Sequence, residues 1–545
     1  MPRLIWVGKD KVENLHHDVP YHVLQRQYTF AAPEGTAANS TGNKIIHGDN
    51  LEALKALLPE YEGRVKCIYI DPPYNTGNEG WVYNDNVNDP RIRKWLNKVV
   101  GKEGEDLSRH EKWLCMMYPR LRLLHRLLAV DGLLFMSIDD TELGNAIAIL
   151  DSIFGASNKL ACAPCLAEPS GGKEKTGLRG GHEYVLIYHN GDMSCITQEE
   201  RSVGPLNLKD KLGSYRKGRE LRKWGGTSLR GHRPKQWFPL STPSGAVVYP
   251  YRNDGEEGHW RWGKDQKMKA ILADPEIAHW ELCPFDDGVT VDSAHERWVP
   301  FEKIRDKKKA VGWGTWLDQI GFNSDATREL KEIFGAKPFD TPKPTSLIEW
   351  LVSLHSNDQA IVLDSFAGSG TTAHAVLKLN AQDGGNRRFI LVEMMEYAET
   401  LTAERVRRVM AGYGEGAKTV AGLGGGFEYF TIGPALFDED GNLSSAAGIA
   451  AIRDYVAYTE GIPSESRAAP DNAVSPYYLG EAQGQRVFFA YEADQPTTLD
   501  LDMLALLVKT PGRVLIYADQ CALGDAFMRR HGIAFKKIPR DVSRL

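Results

Sequence analysis

Residues 44–74 read KIIHGDNLEALKALLPEYEGRVKCIYIDPPY. A short β-branched run is followed by apolar residues at helical spacing, and then by a second apolar run that ends in Asp71-Pro72-Pro73-Tyr74. Short apolar runs bounded by turn residues are typical of buried strands, so this segment predicts a strand, a helix and a strand. Because parallel strands need a crossover connection of this length, we expect the two strands to be parallel.

The same alternation continues along the chain and is interrupted once. It runs to about residue 190, breaks off in a Gly-, Pro- and Trp-rich stretch, and resumes at about residue 336. Strands that alternate with helices predict an α/β fold with helices on both faces of a mostly parallel sheet. The predicted divisions are an N-terminal arm (1–40), a first half-domain (41–190), an inserted module (191–335), a second half-domain (336–432) and a small C-terminal α/β domain (433–545).

Composition restricts the class of protein. The chain has 545 residues, of which 42% are hydrophobic and 25% charged, as expected for several globular domains. No apolar run approaches the roughly 18 residues of a membrane span, and the first residues lack a signal-peptide pattern, so we expect a cytoplasmic protein without a membrane partner. Cys162 and Cys165 have zinc-ligand spacing, but no second pair accompanies them, and we expect no metal.

Positive charge is concentrated in one part of the inserted module. The formal net charge of the chain is −6, yet residues 201–237 contain eleven Lys and Arg against Asp210 and Glu220. A local cationic patch is typical of a nucleic-acid groove, although a solvated loop can carry the same charge. The residues predicted to contact nucleic acid are Arg216, Lys217, Arg219, Arg222, Lys223, Arg230, Arg233 and Lys235.

The motif Asp71-Pro72-Pro73-Tyr74 follows an apolar strand directly and extends to Asn75-Thr76-Gly77. Ligands of open α/β sheets bind outside the carboxyl ends of the strands, which places this motif in a site. A carboxylate and a backbone carbonyl can accept hydrogen bonds from an exocyclic amine and make its nitrogen a better nucleophile. The prolines fix the direction of that carbonyl, and Tyr74 offers a ring face to a flipped-out base.

A second motif, DSFAGSGTT at residues 364–372, stands between a predicted strand and a predicted helix. Its glycines allow a ligand to approach the backbone closely, and the start of the helix faces that ligand. It is not a Walker A loop, because no Lys follows the final glycine. Glu393 ends the next predicted strand, where a carboxylate can accept hydrogen bonds from both ribose hydroxyls of a nucleoside.

With the DPPY motif first, the FAGSG motif last and the basic insertion between them, the chain resembles the β-class DNA amino-methyltransferases. Within that class it is most similar to the modification (Mod) subunits of Type III restriction systems, over residues 41–432. The resemblance implies a Rossmann-like methyltransferase sheet, a target-recognition domain at 191–335 and S-adenosylmethionine (AdoMet) as cofactor. It implies catalysis by Asp71, Pro72, Pro73 and Tyr74. The residues that it implies for AdoMet binding are Asp49, Asp71, Lys343, Pro344, Asp364, Phe366, Gly368, Gly370, Thr372 and Glu393.

The expected reaction is methylation of adenine N6 in duplex DNA, and three alternatives stay open. The same fold can methylate cytosine N4, although Asp rather than Ser before Pro-Pro-Tyr favours adenine. An RNA or protein substrate is disfavoured by the large basic insertion. The chain could also serve mainly as the DNA-recognition subunit of a restriction or phage-defence complex, and cleavage would then need a partner such as a helicase–nuclease subunit. By resemblance we expect a homodimer. The position and the separate α/β pattern of residues 433–545 suggest the hypothesis that this domain serves dimerisation or partner docking.

Overall fold

The computed structural model describes residues 4–76, 108–171, 177–178, 180–284 and 296–540, so Gly77 of the first motif lies outside the described residues. The chain divides into two compact units. One consists of Met1–Thr197 together with Gly314–Leu545, and the other is Gln198–Trp313. The second unit falls inside the predicted insertion (191–335) and is shorter at both ends. In the described part of the chain, no helix has both the length and the hydropathy that crossing a membrane requires.

The described residues form the following elements. The helices are α1 (Lys9–Val12), α2 (Leu15–Asp18), α3 (Asn50–Tyr61), α4 (Arg109–Leu127), α5 (Leu143–Leu150), α6 (Gln266–Ala273), α7 (Asn323–Phe334), α8 (Thr345–Ser353), α9 (Thr371–Asp383), α10 (Glu404–Ala411), α11 (Ile449–Thr459), α12 (Leu501–Leu507) and α13 (Asp525–His531). The strands are β1 (His22–Ala31), β2 (Asn43–His47), β3 (Val65–Ile70), β4 (Leu128–Ile138), β5 (Lys159–Leu166), β6 (His182–His189), β7 (Glu199–Ser202), β8 (Leu208–Asp210), β9 (Gly213–Glu220), β10 (Leu240–Ser241), β11 (Val247–Val248), β12 (His279–Pro284), β13 (Glu296–Ile304), β14 (Lys308–Val311), β15 (Ile361–Asp364), β16 (Arg388–Glu393), β17 (Gly412–Tyr413), β18 (Val420–Ala421), β19 (Gly426–Ala435), β20 (Tyr478–Ala482), β21 (Gln485–Phe489), β22 (Thr498–Leu499), β23 (Val514–Ala518), β24 (Gln520–Cys521) and β25 (Ile533–Lys537).

The first unit is built on a nine-stranded sheet in the order β1-β19-β2-β16-β15-β3-β4-β6-β5. The six strands from β19 to β4 are parallel to one another. Strands β1 and β6 run antiparallel to them on the two sides, and β5 pairs antiparallel with β6. The central strands are largely apolar, because helices cover both faces of such a sheet. The two half-domains predicted from the sequence therefore interleave, with β15 and β16 of the second half lying between β2 and β3 of the first.

Helix α4 is the longest described helix and carries much of the core. Ser108 caps its first turn, and Glu111 completes a reciprocal capping box. Trp113, Leu121 and Leu124 are fully buried and pack in the main core cluster with residues of α3, β3 and β4. Twelve of its 19 residues are buried, so the helix packs in the core over most of its length.

The segment 1–40, expected from the sequence to be an arm, contributes a strand to the sheet. Strand β1 pairs with β19 along its length, from His22 opposite Ala435 to Ala31 opposite Gly426. Its polar residues left no clear period in the sequence, because an edge strand is only partly buried. The pairing joins the start of the chain to the last strand of the second half-domain.

Residues 433–545 form a four-stranded sheet, β20-β21-β23-β25, with its own buried clusters. This sheet nevertheless belongs to the first compact unit. The ring of Tyr455 packs edge-on against Tyr21, and Arg126 of α4 donates a 2.8 Å hydrogen bond to the hydroxyl of Tyr458. The separate α/β pattern predicted from the sequence is present, and it is packed against the main domain.

Candidate active site and nucleic-acid interface

Four carboxylates end four consecutive strands of the main sheet. Asp49 follows β2, Glu393 ends β16, Asp364 ends β15 and Asp71 follows β3. Because these strands are parallel neighbours, all four side chains lie at the carboxyl ends of the strands. Ligands of such sheets bind at this end. The sequence separates Asp71 from Asp364 by nearly 300 residues, and the fold makes them neighbours through the pairing of β3 with β15.

Asp71 and Asp364 are both buried, with 6% and 2% of their surface exposed. Burial raises the pKa of Asp71 to about 6; Lys343 opposes the shift, and the charge of Glu183 adds to it. Burial also raises the pKa of Asp364 to about 7, although Thr372 and the Phe366 amide donate hydrogen bonds to its carboxylate. Perturbed carboxyl groups of this kind cluster at functional sites.

One ammonium group binds the residues of the first motif together. The Nζ of Lys343 lies 3.4 Å from Asp71 Oδ1, 2.7 Å from Glu183 Oε2 and 2.6 Å from the Tyr74 hydroxyl. The Tyr74 hydroxyl in turn donates a 2.9 Å hydrogen bond to Glu183, and the ammonium lies 4.6 Å from the centre of the Tyr74 ring. Burial opposes the charge of Lys343, yet Asp71 and Glu183 raise its pKa above the ordinary value.

The backbone of the first motif is fixed by two buried contacts. The indole of Trp113 donates a 2.7 Å hydrogen bond to the Pro73 carbonyl. Asn75 adopts a left-handed conformation with φ of 61°, which is uncommon for a residue with a side chain, and its amide donates to the buried carboxylate of Glu142. Glu142 also accepts a 2.7 Å hydrogen bond from Asn145 at the start of α5. These contacts hold the turn that carries Asp71 and Tyr74.

The second motif forms a tight turn at the start of α9. Gly370 has φ of 76°, and a Cβ at this position would lie 3.1 Å from the Thr402 carbonyl oxygen. Glu393 closes the turn from the neighbouring strand, because its carboxylate accepts hydrogen bonds from the Gly368 and Met395 amides at 2.8 and 2.9 Å. Glu393 was predicted from the sequence as a ribose ligand, and its contacts show that it also shapes the glycine turn.

Asp49 caps α3 by accepting a 2.7 Å hydrogen bond from the Leu51 amide. Arg120 lies behind it, 3.3 Å from its carboxylate and hydrogen-bonded to Asn50. The Asn50 amide donates to the Ser365 carbonyl at 3.1 Å, which connects this cap to the second motif. Asp49 therefore lies beside the glycine turn, and its contact with AdoMet stays a prediction.

Three residues that the sequence did not single out stabilise the carboxyl end of the sheet. They are Glu183, Arg120 and Arg405, and each carries a charge in a largely buried position. Arg405 is 1% exposed, and its guanidinium donates to the Thr371 hydroxyl at 2.8 Å and to Glu329 at 2.8 Å. Charged residues among apolar positions of a strand or helix were the available signal, but their partners are distant in sequence.

Lys343 precedes α8, and Pro344 is the N-terminal cap of that helix. Lys343 lines a cavity of about 20 Å³ together with Asp71, Asp364, Phe366 and Gly368. This volume has room for one water molecule. The Lys343 ammonium can pair with the methionine carboxylate of AdoMet, and the Asp71 and Asp364 carboxylates in the same lining suit its positively charged sulfur. The residues present therefore fit AdoMet.

The second unit contains a large cationic groove of about 1490 Å³. Nine Lys and Arg line it against only Glu302 and Asp306. Five of the eight predicted DNA contacts lie in this lining: Arg216, Lys217, Arg219, Lys223 and Arg233. The sequence reasoning missed Arg261, Lys267, Lys308 and Lys309, which join the groove from other parts of the unit.

The remaining three predicted contacts lie elsewhere in the second unit. Arg222 is 5% exposed, pairs with Glu220 at 2.6 Å and donates to the Tyr251 carbonyl, so it serves the interior of the module. Arg230 is exposed and pairs with Glu257 at 2.6 Å, outside the groove lining. Lys235 is exposed and is also not part of that lining.

Comparison with known proteins agrees with this geometry. A family model described as DNA methylase (N6_N4_Mtase) matches residues 65–404. The chain is 33% identical to the Type III restriction-modification enzyme EcoPI Mod subunit of Escherichia phage P1, over 72% of this chain and 63% of the relative. It is 33% identical to the Type II methyltransferase M.KpnI of Klebsiella pneumoniae, over 65% and 81% of the two chains. It is 32% identical to the StyLTI Mod subunit of Salmonella typhimurium, over 64% and 52%.

Proposed function

The chain belongs to the DNA methylase family, and from this premise we propose that it transfers a methyl group from AdoMet to N6 of adenine in duplex DNA. The observation that carries the proposal is the adjacency of β3 and β15, which puts the DPPY carboxylate beside the glycine-rich turn. The chain spans 63% of the length of the EcoPI Mod subunit, so this activity is a proposal for the chain.

Each residue of the first motif has a chemical role in this proposal. AdoMet supplies a methyl group on a positively charged sulfur, held by the glycine turn, Asp49, Glu393, Lys343 and the start of α9. The Asp71 carboxylate accepts a hydrogen bond from the target amine and polarises the N–H bond toward nitrogen, which improves the nitrogen as a nucleophile. As the N–C bond forms and the S–C bond breaks, the methylated amine loses one proton to Asp71 or to water. The Pro73 carbonyl is taken by Trp113, so the second acceptor for the amine is the Pro72 carbonyl. Tyr74 stacks on the flipped-out base.

The second unit is proposed to recognise the DNA. Its groove of about 1490 Å³ carries a large excess of cations, and a protein that binds phosphates with Lys and Arg gains affinity by releasing counterions from the nucleic acid. Arg219 and Arg233 are exposed and, among the described residues, have no ion-pair partner, so their guanidinium groups are available for phosphate or guanine. We propose that they and Lys223 are the main DNA contacts of the groove.

The relatives also support a proposal about how the protein assembles. Two of the similar proteins are Mod subunits of Type III restriction-modification enzymes. We propose a homodimer in the cytoplasm that associates with a helicase–nuclease subunit or another defence protein. Light scattering of the purified chain measures the first point, and co-purification with the products of adjacent genes measures the second. A monomer that captures no such product contradicts both.

The test of the reaction is tritiated methyl transfer from AdoMet to mixed genomic DNA, followed by nucleoside analysis. The wild-type protein is expected to label N6-methyladenine, and Asp71→Ala to lose the label. Asp192→Ala is the matched control, because Asp192 is an exposed aspartate that only caps a turn through Ser194. Label in N4-methylcytosine would overturn adenine as the target while keeping the reaction. No label on any DNA would contradict the proposed function.

A further inference from the structure

Two carboxylates, the buried Asp71 and the partly buried Glu183, share a single ammonium group in the candidate site. Lys343 contacts Glu183 at 2.7 Å and Asp71 at 3.4 Å, so the closer of its two partners is not the residue of the DPPY motif. Burial favours the neutral form of Glu183, but Lys343 more than compensates and lowers the pKa of that carboxyl group below its ordinary value. Glu183 is therefore an ionised carboxylate with no role in the mechanism described so far.

We propose that Glu183 is a positioning residue that holds Lys343 back from Asp71, so that Asp71 stays available to the target amine; this inference rests on the proposed methyl transfer. An ammonium and an exocyclic amine compete for the same carboxylate lone pairs. If Lys343 closed fully onto Asp71, the strong charge-assisted contact would weaken the pull of Asp71 on the amine. Glu183 supplies the alternative partner.

The fold makes Glu183 a rigid counter-charge. It lies in β6 between two antiparallel neighbours, opposite Cys165 of β5, while the next residue, Tyr184, pairs with Ile138 of β4. Its carboxylate accepts a hydrogen bond from the Tyr74 hydroxyl as well as from Lys343. The same group therefore fixes both the cation and the edge of the ring on which the target base is proposed to stack.

The charges around Asp71 determine how this arrangement responds to pH. The charged and titratable groups that face Asp71 are Lys343, Glu183, Tyr69, Tyr74 and Asp364. Glu183 is one of the groups that raise the pKa of Asp71, and Lys343 is the group that lowers it most. Removing the negative charge of Glu183 therefore moves the acidic limb of the rate profile to lower pH, while it also leaves Lys343 with Asp71 as its remaining carboxylate.

The experiment compares Glu183→Gln with the wild-type protein in steady-state methylation of mixed genomic DNA with AdoMet. Glu183→Gln is expected to lower kcat by about 10–100-fold, as a misplaced reacting group does, with the KM for AdoMet nearly unchanged. The acidic limb of its rate profile moves to lower pH, because Lys343 is left with Asp71 as its remaining carboxylate partner. A merely structural loss of Glu183 would lower the rate without moving the limb.

A conservative variant covers the case in which Glu183→Gln does not fold. Glu183→Asp keeps the charge but shortens its reach, and we expect an intermediate kcat with an unshifted acidic limb. A wild-type rate in Glu183→Gln, or a lowered rate whose acidic limb stays in place, would overturn the proposal for Glu183 alone. If the wild-type protein itself transfers no methyl group to DNA, the proposed function fails instead, so the two failures are distinguishable.

Discussion

The guanidinium of Arg405 donates a 2.8 Å hydrogen bond to the carboxylate of Glu329. The pair joins α10 to α7, and the same guanidinium reaches the Thr345 hydroxyl at the start of α8 and the Ser369 carbonyl in the glycine turn. One buried cation thus connects the elements that carry Lys343, Pro344 and the second motif. Breaking a buried ion pair from one side is costly, because it leaves the other charge without compensation.

We predict that Arg405→Met lowers the free energy of unfolding by about 3–5 kcal/mol. It should also weaken AdoMet binding, because the glycine turn and the start of α8 lose their common partner. Chemical denaturation and calorimetry of AdoMet binding measure the two effects. Arg408→Met is the matched control on the same helix: Arg408 pairs with Glu404 at a more exposed position, where loss costs about 0–1 kcal/mol. Equal losses in the two variants would contradict the role of Arg405.

The two ends of α9 offer a matched pair of glycines. Gly370 and Gly384 both have left-handed φ, at 76° and 75°, but only Gly370 has a neighbour that a Cβ would press against. Gly370→Ala and Gly384→Ala should each cost about 1–2 kcal/mol of backbone strain. We expect Gly370→Ala alone to reduce AdoMet affinity as well, since the turn must move away from Thr402. Unchanged AdoMet binding in Gly370→Ala would count against a cofactor site at this turn.

Methyl transfer should fall on the acidic side of a pH between about 6 and 7. Burial raises the pKa of Asp71 to about 6 and that of Asp364 to about 7, and both groups act as hydrogen-bond acceptors only when ionised. Lys343→Met removes the cation that lowers the pKa of Asp71, so the acidic limb of kcat/KM should move to higher pH. The measurement is the pH profile of initial rates for the two proteins. An acidic limb that stays in place would show that Lys343 does not affect the ionisation of Asp71.

The same two carboxyl groups set a stability trend of opposite sign. Their folded-state pKa values lie above the unfolded value, so the native protein binds more protons than the unfolded chain between about pH 4 and 7. Their contribution to the free energy of unfolding therefore falls as the pH rises through this window. Asp364→Asn should flatten the fall in urea-denaturation experiments, and a slope equal to that of the wild type would show that other groups dominate.

DNA affinity should depend on the cations of the groove in the second unit that have no ion pair with another described residue. Arg219→Gln, Lys223→Gln and Arg233→Gln are each expected to weaken binding to duplex DNA and to reduce the slope of log K against log salt by about 1. Arg230→Gln serves as the control, because Arg230 lies outside the groove lining and already pairs with Glu257. Fluorescence anisotropy over a salt series gives both quantities. A control that loses as much slope as the groove variants would argue against the groove as the DNA site.

Several features of the site could be predicted from local sequence. The strand before Asp71 and the glycine turn at 364–372 each carry their own signature, because a buried strand must be apolar and a tight turn must tolerate left-handed φ. The basic run at 201–237 located the cationic groove, although three of its predicted DNA contacts proved to lie outside the groove lining. Arg222 shows why: a charge count along the chain cannot distinguish an exposed guanidinium from one that is buried against Glu220.

The α/β class, the two motifs and the carboxyl end of the sheet at which they lie could all be predicted from the sequence, since each depends on residues that are neighbours in the chain. Which distant charges meet depends on the fold: Lys343 contacts Glu183 and Asp71, and Arg405 contacts Glu329. The strand β1 at the edge of the sheet also depends on the fold, because it can pair with β19 without an alternation of apolar and polar residues. Such an alternation indicates which residues of a single element are buried. Ion pairs and the pairing of an edge strand depend instead on which elements the fold brings together.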